Sequence, residues 1–220
     1  QDPWATPANL GSLVNSPAAE GCPAVSDDGL ELYFWSTRPG SSGTYDVWVS
    51  RRANRQDTWN PAENLGPVPN SSAAELCMDI SSDGLGLILV SARAGGYGGD
   101  LGDLWLARRS TMSSPWGQPV NLGPIVNSSY NENGPCLSTD GSMLYFSSDR
   151  PGGSGAQDMW QVPLIPIVDF NGDEKVDLQD LLRLIEHWGQ NDLSVDIGPM
   201  PWGDGVVDEK DLEVLMSYWG

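Results

Sequence analysis

The sequence predicts a mostly β protein with three repeats of a four-stranded antiparallel unit over residues 1–165, followed by a small C-terminal α-helical module over 166–220. Three observations predict it. Trp4, Trp59 and Trp116 each precede a variant of one phrase, PANLG, PAENLG or PVNLG, at spacings of 55 and 57 residues. An Asp-Gly pair then stands at the same point of every unit, ahead of a short aromatic or branched run. From Asp169 onward the pattern changes to acidic loops followed by apolar residues at helical spacing, and this happens twice.

The repeats run over about residues 4–58, 59–115 and 116–165. Their second shared phrase reads SDDGLELYFWSTRPG from Ser26, SSDGLGLILVSARAGG from Ser81 and STDGSMLYFSSDRPGG from Ser138. Asp-Gly supplies the positive backbone angles of a tight hairpin turn. The runs Leu32 to Trp35, Leu87 to Val90 and Leu144 to Phe146 that follow are predicted as buried strands. Arg-Pro-Gly or Arg-Ala-Gly ends each strand, a Gly- and Ser-rich loop follows, and the strands YDVWVSRR, GDLWLARR and QDMWQVPL return to pair with it. A unit of about four short strands is the size of one blade of a β-propeller.

Recurrence in every unit argues for a structural role. Arg38, Arg93 and Arg150, with Asp46, Asp103 and Asp158, are expected to form ion pairs or hydrogen-bonded braces between neighbouring strands. Trp48, Trp105 and Trp160 are expected to pack the blades rather than to stack on sugars. Three cysteines cannot close a disulfide framework, and Cys22 and Cys77 fall at equivalent positions where a small buried side chain is expected. Asn70 and Asn127 each begin an Asn-Ser-Ser sequon, a possible glycosylation site.

These phrases resemble the TolB-type (WD-like) β-propeller family, whose pattern is met most fully between Asp140 and Trp160 and extends over roughly residues 4–165. The second repeat departs from it, with Ile88 and Leu89 for the Tyr-Phe pair and Ala94 for Pro. The resemblance implies an interaction scaffold. Closed propellers use four to eight blades, so three leave unpaired edges that invite another chain. Self-association into an oligomer or filament is therefore expected.

The formal net charge is −19, with 30 acidic against 11 basic residues, which excludes nucleic-acid phosphates and anionic membranes as natural partners. The imbalance is sharpest from Asp169 to Gly220, where 13 acids meet 3 bases, so the cation-seeking part is the tail. Gln1 in place of Met, and the lack of any run of 18 apolar residues, read as an exported chain after removal of its signal, without membrane insertion. A secreted or cell-surface, bacterial protein is expected.

In DFNGDEKVDLQDLLRLIEHWG, oxygen-bearing side chains occupy loop positions 1, 3, 5, 9 and 12 as Asp169, Asn171, Asp173, Asp177 and Asp180, with the Lys175 carbonyl at position 7. Ca2+ takes six to eight hard oxygen ligands in such a spacing. Leu178, Leu181, Leu182, Ile185 and Trp188 then follow helical spacing up to Gly189. A second copy repeats this after 31 residues, with Asp204, the Val206 carbonyl, Asp208 and Asp211 in a loop and Leu212, Leu215, Met216 and Trp219 on a helix. Its first ligand, Asp196, lies eight residues before Asp204 instead of four, and reaches the site if Gly-Pro-Met-Pro loops out.

This loop-helix duplication resembles the type I dockerin family over about residues 167–220. The resemblance implies two Ca2+ ions and a small module that docks a cohesin-like protein or a neighbouring domain. Positions 10 and 11 depart from the cellulosomal pattern, holding Leu178 and Gln179, then Glu209 and Lys210.

An enzyme is not expected. The single histidine, His187, sits on a helix of the acidic module and admits no Ser-His-Asp set, Cys-His pair or zinc cluster. Glycoside hydrolysis needs only two carboxylates, and Glu31, Asp79 and Glu132 are the less repetitive ones, but nothing in the sequence brings them together. The expected function is a secreted, calcium-stabilised assembly scaffold. The alternatives are a module binding carbohydrate, peptidoglycan or a cell-surface glycan, and a carboxylate-dependent glycoside hydrolase.

Overall fold

The computed structural model describes residues 5–98, 102–164, 168–173, 175–192, 194–198 and 203–220. Gln1, Trp4, the boundary at 165–166 and the Pro199–Pro201 stretch on which earlier expectations rest lie outside them. The described residues form eleven strands and two helices. In order these are β1 (Glu20–Val25), β2 (Glu31–Ser36), β3 (Asp46–Arg51), β4 (Glu63–Asn64), β5 (Glu75–Ile80), β6 (Gly86–Ser91), β7 (Asp103–Arg108), β8 (Val120–Asn121), β9 (Glu132–Leu137), β10 (Met143–Ser148), β11 (Asp158–Pro163), α1 (Leu178–Glu186) and α2 (Glu209–Ser217). No helix among them is long and apolar enough to cross a membrane.

The strands make three antiparallel sheets, ordered β1-β2-β3-β4, β5-β6-β7-β8 and β9-β10-β11. Each first hairpin turns on the Asp-Gly pair. The carboxylates of Asp28, Asp83 and Asp140 accept from the backbone N–H of Leu30, Leu85 and Ser142. Gly29, Gly84 and Gly141 hold φ of 73°, 74° and 70°, a region that side chains with Cβ disfavour.

Repeat and sheet are out of step, which corrects the expectation that each sequence unit folds into one four-stranded sheet: the second and third units hold four strands each and the first, among the described residues, three. The outer strand of the first sheet, β4, belongs to the opening phrase of the second repeat and pairs with β3 through Trp48↔Asn64. In the same way β8 pairs with β7 through Trp105↔Asn121. The third sheet has three strands, because after β11 the chain enters the acidic module instead of another such phrase.

Apolar residues fill the gaps between the sheets. Tyr33, Val47 and Val49 of the first sheet meet Met78, Leu87, Leu89 and Trp105 of the second. On the other face of the second sheet, Ile88, Val90 and Leu104 meet Leu144 and Phe146 of the third. Strand β6 is therefore buried on both faces along its whole length, which explains why the second repeat replaces Tyr-Phe by aliphatic Ile88 and Leu89. Each such side chain contributes roughly 1.5–3 kcal/mol by leaving water.

The braces differ from expectation. Arg38, Arg93 and Arg150 pair not with the recurrent aspartates but with Glu20, Glu75 and Glu132, at 3.0, 3.2 and 2.8 Å. Each guanidinium also donates to a serine (Ser36, Ser91 or Ser148) and lies over Trp48, Trp105 or Trp160. Glu132, expected to be non-repetitive, is thus the third copy of a repeated brace. The aspartates tie down the Gly-rich loops instead, Asp46 accepting from the N–H of Ser42 and Gly43, Asp103 from Tyr97 and Asp158 from Gly155.

Two smaller expectations are also corrected. Cys22 and Cys77 form a disulfide across the first and second sheets, with Cα atoms 5.0 Å apart, because their equivalent positions face each other on the neighbouring strands β1 and β5. Cys136 is left free and exposed. Asn70 and Asn127 are buried to 1% exposure, and their side-chain amides bridge to the backbone of Val47 and Leu104. An N-linked glycan on either nitrogen is incompatible with this fold.

Candidate functional site

The C-terminal module is built from two loop-helix units that repeat each other's hydrogen bonds. Asp177 and Asp208 are the N-caps of α1 and α2, and each forms a reciprocal capping box with the aspartate three residues on, Asp180 or Asp211. Asp180 Oδ1 accepts from the N–H of Phe170 at 2.7 Å, and Asp211 Oδ1 from Ile197 at 2.5 Å. The far ends are matched too. The N–H of Gly189 donates to Val207 O at 2.8 Å and that of Gly220 to Val176 O at 3.3 Å, so each unit's end is pinned to the other's loop. Val168, Leu184, Val195, Ile197, Val207 and Leu215 form the core between them.

Asp196 stands at the first position of the second loop, as Asp169 does in the first. Asp169 Oδ1 accepts from Gly172 and Asp173, and the Asp196 carboxylate accepts from Asp204 at 3.0 Å and Gly205 at 2.8 Å. Asp196 thus meets the N–H of Asp204 as Asp169 meets that of Asp173, although the pair is eight positions apart in sequence instead of four. Asn171 Oδ1 accepts from Asp173, whereas Gly198 occupies the corresponding place after Asp196 and offers no side-chain oxygen. Lys175 and Val206 occupy equivalent turns, their N–H groups donating to Asp173 and Asp204. Lys210 is ion-paired with Asp204.

Among the described residues, no three or more His, Cys, Asp or Glu side chains converge as a ready-made metal cage. The donor chemistry nonetheless fits a hard cation. Asp180 and Asp211 are wholly buried, and among the described residues neither forms an ion pair. Buried carboxylates are normally paired or coordinated to a metal. Asp180 accepts one backbone hydrogen bond on each oxygen, whereas Asp211 accepts two on Oδ1, from Ile197 and Gly198, and one on Oδ2, from Asp208, which leaves lone pairs on both Asp180 oxygens and on Asp211 Oδ2. Asp196, also buried, has its carboxyl pushed up to about 6 by burial, against the pull of the Gly205 N–H and of Arg108 at 3.5 Å. That contact ties the module to the second sheet.

The helices are amphipathic, but of the stripe read from the sequence only Leu215 is fully buried, with Leu181 partly buried against the same core. Leu184 and Leu215 are buried, while Leu178, Leu182, Ile185, Trp188, Met216 and Trp219 are exposed. The reason is the capping aspartates. Asp180 and Asp211 must turn inward to receive the loop, so the residue four positions later in each helix faces inward with them.

The three acids weighed for hydrolysis have separate partners. Glu31 receives Arg109 at 2.6 Å, Tyr33 at 2.7 Å and Arg51 at 2.8 Å, and Arg109 stacks on Trp116. Burial raises the Glu31 carboxyl, but these donors outweigh it and hold it below the usual range. Asp79 accepts from Leu137 and Ile80, and burial pushes its carboxyl up. Glu132 belongs to its arginine brace. His187 caps the end of α1.

No family model matches the chain. No curated protein matches it either. Among solved structures it is similar to TolB from Acinetobacter baumannii (17% identity, TM-score 0.43, covering 66% of this chain and 32% of that one). It is similar also to a putative TolB from Agrobacterium tumefaciens (16%, 0.46, 70% and 48%). A third is a mutant of puromycin hydrolase (16%, 0.39, 64% and 21%). The chain spans less than half the length of each.

Proposed function

We propose that this chain is a secreted, calcium-stabilised scaffold that works by associating with other chains, its first part being three propeller-type blades and its last part a dockerin-like module. The observation that carries the reading is the third sheet, which among the described residues ends at β11 with no outer neighbour while the other two sheets have one. An edge of that kind recruits a strand. The open apolar face of α1 and α2 supports a docking role for the module, to another copy or to a cohesin-like protein.

Calcium enters this reading as a structural ion. Asp169, Asn171, Asp173, the Lys175 carbonyl, Asp177 and Asp180 would hold one, and Asp196, Asp204, the Val206 carbonyl, Asp208 and Asp211 the other. A bound cation would neutralise buried carboxylates that otherwise oppose folding. Lys210 would have to release Asp204 for the second site to fill, so the two sites should differ in affinity. Calorimetric titration of the metal-free chain tests this part, with two unequal Ca2+ ions per chain expected. A chain that takes up none, or takes up as much after Asp180→Ala with Asp211→Ala, would remove calcium from the account.

A further inference from the structure

We infer that strand β11 is the docking edge for residues 8–15 of a second copy of this chain, so that two copies close on each other head to tail. The inference rests on the self-association proposed above and names its surfaces.

Inside the chain the same junction is made twice. Asn64 and Asn121 donate to Asp46 Oδ2 and Asp103 Oδ2, both at 2.8 Å. Asn70 and Asn127 accept from the N–H of Val47 and Leu104 at 2.7 and 2.8 Å, and donate to their carbonyls at 3.1 and 3.0 Å. Each segment Asn-Leu-Gly-x-x-x-Asn thus clips onto the Asp-x-Trp strand of the sheet before it.

The chain also carries each half of a third junction, unmated among the described residues. Asn9-Leu10-Gly11 through Asn15 repeats the clip, and Asp158-Met159-Trp160 repeats the strand. The clip is already folded for docking. Asn9 Oδ1 accepts from Gly11 N–H at 2.8 Å and from Asn15 Nδ2 at 3.1 Å, as Asn64 does from Gly66 and Asn70. On the strand, Met159 is 73% exposed, where its equivalents Val47 and Leu104 are 0%.

The faces behind the two halves also match. Tyr145 and Met159, both exposed, are the third sheet's counterparts of Tyr33 and Val47. Inside the chain those two residues pack on Leu87 and Leu89, whose counterparts on the first sheet are Leu32 and Phe34. Leu32 and Phe34 line, with Leu10 and Val14, an open cavity of about 210 Å³. Three sheets from each of two copies make six, within the four to eight that close a ring, whereas three alone do not.

Sedimentation equilibrium of the full chain in calcium, paired with peroxide oxidation of methionines read by mass spectrometry, tests the docking. The chain is expected to pair, Met159 oxidation is expected to slow by at least about fivefold as pairing saturates, and Asn15→Ala is expected to raise the dissociation constant at least about tenfold. A chain that stays single overturns both this docking and the self-association beneath it. Pairing in which Met159 oxidises at an unchanged rate, or which Asn15→Ala leaves untouched, overturns the docking alone.

Discussion

Replacing Asn127 by alanine should unfold the junction between the second and third sheets at a cost that can be worked from its bonds. Among the described residues the side chain supplies the one hydrogen bond to the Leu104 N–H, at 2.8 Å, in a place where Leu104 is wholly buried. Leaving that donor unpaired costs roughly 1–3 kcal/mol. The bonds from Asn127 Nδ2 to Leu104 O and to Asn121 Oδ1 go as well, at a net ~0.5–1.5 kcal/mol each. The Leu104 carbonyl keeps its bond from Leu122 N–H and is not orphaned. The total is about 4 kcal/mol, which with a urea slope of about 2 kcal/mol/M lowers the unfolding midpoint by about 2 M. Tryptophan fluorescence reads the transition. Asn70→Ala, which breaks the same set of bonds one junction earlier, should shift it equally. A shift below ~0.5 M for both would refute the assignment of these asparagines as buried bridges and would reopen them as glycosylation sites.

Other outcomes follow from the same geometry. Chelation should abolish the helical circular dichroism of α1 and α2 while the β signal persists, because the acids read as Ca2+ ligands belong only to the module; joint loss of both signals would contradict this. Reducing the Cys22–Cys77 disulfide frees a loop of 55 residues, for which chain entropy predicts a loss of about 4 kcal/mol, to be read as a lower urea midpoint with dithiothreitol. Glu31 has a lowered pKa, so its contribution is present above its unfolded value of about 4.5 and is lost as pH falls through the folded one. Glu31→Gln should therefore flatten the acid limb of the stability profile below about pH 5; an unchanged limb would show that the Arg109 clamp does not matter.

Most of the fold was legible because the chain says it three times. Asp-Gly turns, apolar runs and recurrent tryptophans located β2, β3, β6, β7, β10 and β11, while β1, β5 and β9 ahead of the Asp-Gly turns were not placed. The short outer strands β4 and β8 were hidden, since two residues carry no periodicity and their phrase belongs to the next repeat. The arginine partners were misassigned for a related reason. Arg and Asp recur eight to ten residues apart, close enough to be noticed together, while Glu20, Glu75 and Glu132 lie 18 residues before their arginines and pair only once β1, β5 and β9 fold back. A signal was available in the constant step of five residues from Asn15, Asn70 and Asn127 to those glutamates. Asp196 could be located in the second loop by analogy with Asp169, but the inward turn of Asp180 and Asp211 needed the capping geometry, and that turn is what exposes Leu182, Ile185 and Trp188.

The most direct test of the account is the solution mass of the intact chain in calcium, measured by light scattering over a range of concentration. The account predicts a species of twice the 23.7 kDa chain mass. A mass that stays at that of a single chain up to the highest concentration would contradict it.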